Sequence, residues 1–231
     1  MTGIVQTILR YFADLTGNYA WAIIIFTVLL KIALFPISIS QMRTMEKQKV
    51  IQPLVDEIQK KYKGQPEEIN RRVMEVYKQN SFNILGGCLP SLLTLPIMLV
   101  FYNGMRDVNF MQTLVTEGIS MQFLWIKDIM LHPAVALPVN VADIGAWLIL
   151  LRELIMPVLT AVTTYLTFAQ TSQPSSSSSN NSMAMFKWMM PLMFGYFAII
   201  SPLSLVIYWV AFNIINMIVQ WFIMKFMVKP R

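Results

Sequence analysis

Five apolar stretches in this chain are each about as long as a helix that crosses a lipid bilayer. They cover residues 20–40, 83–105, 146–170, 185–202 and 203–226. A helix needs about 20 mostly apolar residues to cross the hydrocarbon core of a membrane. Charged residues make up 13% of the chain, whereas a soluble domain carries about 25%. The sequence therefore predicts an all-α membrane protein with five transmembrane helices.

The distribution of basic residues predicts how these spans are oriented. Residues 41–82 contain nine lysines and arginines, whereas residues 106–145 contain two, Arg106 and Lys127, beside four acidic residues. Lysine and arginine accumulate in short cytoplasmic loops. We therefore expect residues 41–82 and the short tail 227–231 in the cytoplasm, and the N-terminus and the extracytoplasmic segment 106–145 outside. Because the basic residues of 41–82 are mixed with acidic ones, a nucleic-acid partner is not expected.

The cytoplasmic segment 41–82 has the pattern of a helical hairpin. Its two apolar stripes recur at helical spacing, and the second helix begins at Pro66 with two acidic residues in its first turn. Pro53 is expected to kink the first helix or to make it restart. Two interpretations stay open, a connector that packs only on itself and an arm that receives incoming chains. The first stripe comprises Ile51, Leu54, Val55, Ile58 and Tyr62, and the second Ile69, Val73, Val76 and Tyr77.

Two further segments lie outside the predicted spans. Residues 1–19 have apolar side chains at helical spacing, which favours a short amphipathic helix on the membrane surface over a frayed terminus. Residues 171–184 include the serine-rich run SSSSS and cannot bury apolar area, so they are expected to form a flexible cytoplasmic loop.

One lysine lies in the middle of the first span, within the run FTVLLKIALFPIS. A lysine at the centre of a span costs about 2.5–3.5 kcal/mol on insertion scales. Lys31 must therefore meet either an acidic partner or water. Glu153 is the one acidic residue within a predicted span, and an ion pair between the two is one possibility. The alternative is that Glu153 and the adjacent Arg152 both lie near the outer interface.

Polar residues accumulate in the inner half of the predicted bundle and favour the second possibility, a hydrophilic groove open to the cytosol. Asn213, Asn216 and Gln220 fall on one face of the fifth span. Polar contacts between helices would explain the same pattern. The residues predicted to line the groove and contact substrate are Lys31, Thr27, Thr94, Thr163, Thr164, Asn213, Asn216 and Gln220.

Metal and enzyme chemistry find little support in the sequence. The chain has one cysteine, Cys88, and one histidine, His132, which is too few for a zinc or haem site. Hydrolase and phosphate-loop motifs are absent from the sequence. We expect neither a cofactor nor covalent catalysis.

Three motifs, in order along the chain, resemble the YidC family of membrane protein insertases, which has relatives in mitochondria and chloroplasts. They are LGGCLPSLLTLPIM at 85–98, FLWIKDI at 123–129 and SPLSLVIYWVAFNIINMIVQ at 201–220. The resemblance implies five helices around a groove that is open to the cytosol and to lipid and closed on the outer side. It also implies a positive charge in the first core span, usually an arginine, and Lys31 stands at that position. Thr94 and Ser204 depart from the glutamine and glycine that the family often has there.

The resemblance also implies an activity and partners. The expected protein inserts and helps to fold nascent membrane proteins with short acidic N-terminal tails, in contact with lipids of a bacterial cytoplasmic membrane. The Sec translocon and the ribosome are further expected partners, although the short tail speaks against tethering the ribosome through it. Two competing hypotheses are a small transporter or channel whose lysine binds an anion, and an assembly chaperone without insertase activity.

Overall fold

The structure is a computed structural model that describes residues 2–82, 99, 102–104, 107–133, 144–171 and 181–227. The regular secondary structure of these residues is helical, and they contain no strand. Most of the predicted second span, with Thr94, and most of the serine-rich loop lie outside the described residues. The helices are α1 (Thr2–Thr16), α2 (Tyr19–Ala33), α3 (Phe35–Lys61), α4 (Pro66–Gln79), α5 (Val108–Thr116), α6 (Ile144–Thr171), α7 (Asn181–Ile200) and α8 (Leu203–Phe226).

Two of the described helices are long and apolar enough to cross a membrane, and a bent pair provides a third candidate. The two are residues Trp147–Gln170 of α6 and the whole of α8, and the pair is α2 with α3. The apolar part of α7, Trp188–Ile200, is shorter. The all-helical membrane fold is thus confirmed for the described residues.

The chain bends by 63° between α2 and α3, and this differs from the expected effect of Pro53. The first hairpin helix does not restart at Pro53, because α3 runs through it to Lys61. The break lies at Leu34 instead, since Pro36 has no N–H to donate to the preceding helical turn but is tolerated in the first turn of α3.

A tight turn joins α3 to α4 and reverses the chain. Gly64 in this turn has φ +92°, a conformation that glycine adopts without strain. On α4, the carboxylate of Glu68 accepts hydrogen bonds from Arg71 and Arg72 at 2.7 and 2.9 Å. The guanidinium of Arg72 also lies 5.7 Å from the ring of Tyr62, which ends α3.

The segment after α5 connects the beginnings of α2 and α8. The backbone of Ser120 accepts a hydrogen bond from Tyr19 at 3.0 Å and donates one to Gly17 at 2.9 Å. Further along, the carbonyl of Ile129 accepts from the N–H of Ser204 at 2.7 Å. The first N–H groups of a helix have no partner within it. The segment therefore caps α8 while it holds α2 in place.

Most of the largest fully buried side chains lie at this same end of the bundle. These side chains are apolar or aromatic and pack together where α1, α2, α5 and α8 meet. They include Leu9, Tyr19, Ile23, Met111, Leu114, Ile129, Val206 and Tyr208. Elsewhere α6 packs closely on α7, because a Cβ at Gly195 would lie 3.1 Å from the Cβ of Ala161.

Candidate functional site

Lys31 lies in the last turn of α2 and points into the interface with α8. Only 6% of the residue is exposed. Its Nζ donates a hydrogen bond to Oδ1 of Asn216 at 2.8 Å and lies 3.7 Å from the ring centroid of Phe212. Phe212 and Asn216 are four residues apart, so both project from one face of α8. The ammonium is thereby held between an amide oxygen and an aromatic face, an arrangement that differs from both the acidic partner and the water expected from the sequence.

The free energies of these two contacts are large enough to keep a buried lysine in place. A hydrogen bond to a charged group contributes about 1.5–3 kcal/mol, and a cation–π contact about 0.5–2 kcal/mol. Their sum is comparable with the cost of about 2.5–3.5 kcal/mol for a lysine at the centre of a span. Both partners are neutral, so they hold the side chain of Lys31 without cancelling a charge.

The ion pair between Lys31 and Glu153 does not form in the structure. The carboxylate of Glu153 instead accepts a hydrogen bond from Nη2 of its neighbour Arg152 at 3.1 Å. The hydrogen-bond partner of Glu153 is thus Arg152 and not Lys31.

A second polar contact lies one turn away on the same helix. Nδ2 of Asn213 donates to Oγ1 of Thr163 at 3.2 Å and to Oγ1 of Thr164 at 3.0 Å. Both threonines are buried on α6, and the hydroxyl of Thr163 donates in turn to the carbonyl of Leu159. Asn213 therefore links α8 to α6, as Asn216 links α8 to α2. We call Lys31, Thr163, Thr164, Asn213 and Asn216 the α8 polar site.

The remaining predicted residues are placed differently. Thr27 is fully buried, and its hydroxyl donates within its own helix to the carbonyl of Ile23 at 2.7 Å. Gln220 is buried on α8, one turn beyond Asn216. Thr94 lies outside the described residues. Contact of any of these side chains with a substrate stays a prediction.

Phe212 is part of this arrangement and was not among the predicted residues. Aromatic residues are common in membrane spans, so the residue type alone does not indicate that Phe212 belongs to a functional site. Its spacing of four residues from Asn216 puts it on the polar face of α8 and could have indicated it. Within the described ranges no group of three or more metal-ligating side chains lies together. The chemistry this site offers is charge and hydrogen bonding.

Comparison with known proteins places the chain in a family. A family model described as 60Kd inner membrane protein matches residues 11–230. The membrane protein insertase YidC of Caldanaerobacter subterraneus is 33% identical over 218 residues, which are 94% of this chain and 91% of that relative. The chain belongs to the YidC family.

Other YidC relatives differ mainly in length. The membrane protein insertase YidC of Clostridium perfringens is 32% identical over 93% of this chain and 82% of its own length. The Helicobacter pylori relative is 31% identical over 96% of this chain, but this chain spans only 35% of that protein. The match to the YidC family model includes every residue of the α8 polar site.

Proposed function

We propose that this protein is a membrane protein insertase and chaperone of a bacterial cytoplasmic membrane. Membership of the YidC family supports the activity. The observation that carries the mechanism is the contact between Lys31 and Asn216, since a buried cation with a neutral partner remains able to attract an acidic group. The proposal involves no covalent step and no cofactor.

The proposed architecture has five transmembrane helices, with the N-terminus outside and the C-terminus in the cytoplasm. Residues 20–40, 83–105, 146–170, 185–202 and 203–226 are the spans, and they surround a hydrophilic groove that is open to the cytosol and to lipid. The α8 polar site would form part of the groove wall. Thr27, Thr94 and Gln220 are the further proposed lining residues.

The first step is entry of a substrate's polar N-terminal tail into the groove. A carboxylate on that tail would replace Asn216 as the partner of Lys31. Hydrogen bonds between two charged groups are about twice as strong as those between neutral groups. An acidic tail would therefore bind Lys31 more strongly than Asn216 does, whereas a neutral tail would not. Because Asn216 can take the ammonium back, the tail is held only transiently.

The second step is release of the substrate into the bilayer. The apolar helix of the substrate leaves the groove sideways, and its burial in lipid stabilises it by roughly 25 cal/mol per Å². The membrane potential adds about 2.3 kcal/mol per charge per 100 mV for an acidic tail that moves outward. Both terms favour a finished insertion over return to the cytosol.

The proposed partners are nascent membrane proteins with short acidic N-terminal tails, together with membrane lipids. The hairpin of α3 and α4 would receive the incoming chain, since α3 follows directly on the helix that carries Lys31. The Sec translocon and the ribosome are further proposed partners.

Reconstitution with purified components tests this function. Proteoliposomes that contain only this protein should insert a single-span substrate with an acidic tail, measured by protection of the tail from external protease. Lys31→Arg should retain insertion and Lys31→Met should lose most of it. Lys225→Met is the matched control, because Lys225 is an exposed lysine in the last turn of α8 and is not part of the α8 polar site.

Two results would contradict the proposal. One is equal insertion by the Lys31→Met and wild-type proteins. The other is flux of a small anion that depends on Lys31 in proteoliposomes that insert no substrate, which would indicate a transporter.

A further inference from the structure

The turn at Phe123–Ile126 presents a leucine in a backbone conformation that does not suit it. The two end residues exchange backbone hydrogen bonds, at 3.0 and 2.8 Å, which closes a tight turn. Leu124 at its tip has φ +53° and is 71% exposed. Positive φ is uncommon for residues other than glycine, asparagine and aspartate.

In water, leucine would be a poor choice for this position. Asparagine or glycine adopts the left-handed conformation at lower cost, and both are common in tight turns. An exposed leucine also gains nothing from the hydrophobic effect until another apolar phase covers it. The residue therefore suits the turn only if its side chain leaves water.

The neighbours of the turn indicate what covers it. Trp21 in the first turn of α2 is 51% exposed, and its ring meets that of Phe123 edge to face with 6.0 Å between centroids. Trp21, Val28 and Ile32 recur at helical spacing along one exposed face of α2. This face belongs to a candidate membrane span. The exposed apolar surface thus continues from a lipid-facing helix onto the turn.

We propose that the turn at Phe123–Ile126 is an anchor in the outer leaflet, with Leu124 inserted among lipids beside Trp21. Tryptophan is enriched at membrane interfaces, where its ring meets both headgroups and chains. The exposed Lys127 next to the turn is placed to meet lipid phosphate groups. The inference rests on the proposed architecture, in which α2 crosses the membrane with its first turn at the outer side, and it holds whatever the protein transports or inserts.

Such an anchor would fix the depth of Lys31. Ten residues of α2 separate Lys31 from Trp21, which is about 15 Å at 1.5 Å per residue. With Trp21 at the outer boundary of a hydrocarbon core about 30 Å thick, the lysine lies near the midplane. The segment that carries the turn also caps α8 through Ile129. The anchor thereby sets the position of both helices that hold the lysine.

Fluorophores attached at single cysteines test the position of Leu124. After Cys88→Ser, three variants in lipid nanodiscs are labelled: Leu124→Cys, Ile32→Cys on the lipid-facing surface of α2, and Gln112→Cys on the exposed face of α5. A quencher carried along the lipid chains should reduce fluorescence at 124 and at 32, and aqueous iodide should not. The labels at 32 and 112 calibrate lipid and water exposure.

The proposal is overturned if iodide quenches the label at 124 as strongly as the label at 112. It is also overturned if neither quencher reaches the label at 124, which would indicate that a protein surface covers the turn.

Substitution of Leu124 by asparagine gives an independent test, because water and lipid predict opposite changes in the unfolding temperature. In water, Leu124→Asn would relieve the unfavourable φ and raise or preserve the unfolding temperature. In lipid, the exposed amide would lower it. We expect a lower unfolding temperature in nanodiscs. Ser81→Asn is the matched control, because Ser81 is also exposed and has φ +48°, but it follows α4 on the proposed cytoplasmic side. This variant should show no loss of unfolding temperature. An unfolding temperature for Leu124→Asn at or above wild type would overturn the anchor.

Discussion

The amide oxygen of Asn216 lies 2.8 Å from the ammonium nitrogen of Lys31, although 185 residues separate the two in sequence. This contact joins α2 to α8 and gives a buried lysine a partner that carries no charge. An aspartate at position 216 would neutralise the lysine, whereas a leucine would leave it without this acceptor. The amide holds the side chain in position and leaves its charge available.

Removal of the Asn216 acceptor should destabilise the protein only while Lys31 is present. Asn216→Leu leaves a buried donor without this acceptor, which costs about 1–3 kcal/mol or more. In a Lys31→Met background the same change should cost little, since both partners are then apolar. Thermal unfolding of the single and double variants in nanodiscs measures the difference. Asn70→Leu, an exposed asparagine on α4, controls for the change of residue type.

Equal destabilisation by Asn216→Leu in the two backgrounds would show that the residue stabilises the fold independently of Lys31.

The contact of Asn213 with Thr164 should stabilise the packing of α8 on α6. Hydrogen bonds between membrane helices contribute about 0.6 kcal/mol on average and up to about 2 kcal/mol. Thr164→Val removes the hydroxyl that accepts from Asn213. Thr160→Val is the matched control, because that hydroxyl donates within α6 to the carbonyl of Met156. Unfolding in a denaturing detergent should show a larger loss for Thr164→Val.

A double-mutant cycle of Thr164→Val with Asn213→Leu isolates the pair. A coupling energy of zero would show that the two helices pack without help from this hydrogen bond.

The stability of α5 should fall in acid because of Asp107. The backbone N–H of Phe110, and then the side chain of Gln6, hold the pKa of this carboxyl below its usual value. A carboxyl with a lower pKa in the folded than in the unfolded state stabilises the fold above the unfolded pKa. That contribution is lost as the pH falls through the folded pKa. Hydrogen exchange at the amides of 109 and 110 should therefore accelerate in acid, after correction for the intrinsic pH dependence of exchange.

Asp107→Asn separates the charge from the cap. Asparagine is an equally good N-cap residue, so the variant should retain α5 but lose the acid-dependent change in protection. The same acid response in the variant would mean that another group causes it.

The sequence predicted the helical membrane fold because apolar runs and helical spacing are local properties. The bend at Leu34 was missed because two prolines, Pro36 and Pro53, lie in one long helical pattern. Pro36 lies in the first turn of α3, where its missing N–H would have no partner within the helix. At Pro53, by contrast, α3 continues although one backbone hydrogen bond is lost.

The candidate site shows a similar limit. Helical spacing predicted that Asn213 and Asn216 share a face of one helix, and the structure places both in polar contacts. Their partners, Lys31 and the threonine pair on α6, depend on how three helices pack, which no local pattern contains. The contact of Glu153 with Arg152 and not with Lys31 likewise depends on packing.

Exchange of charge between the protein and its substrate tests the central claim most directly. Insertion is measured in proteoliposomes without an imposed membrane potential, for wild-type protein and Lys31→Glu, each with a substrate that has an acidic tail and with one that has a basic tail. An electrostatic role for Lys31 predicts that wild-type protein favours the acidic tail and that Lys31→Glu favours the basic one. The same preference in both proteins would contradict that role.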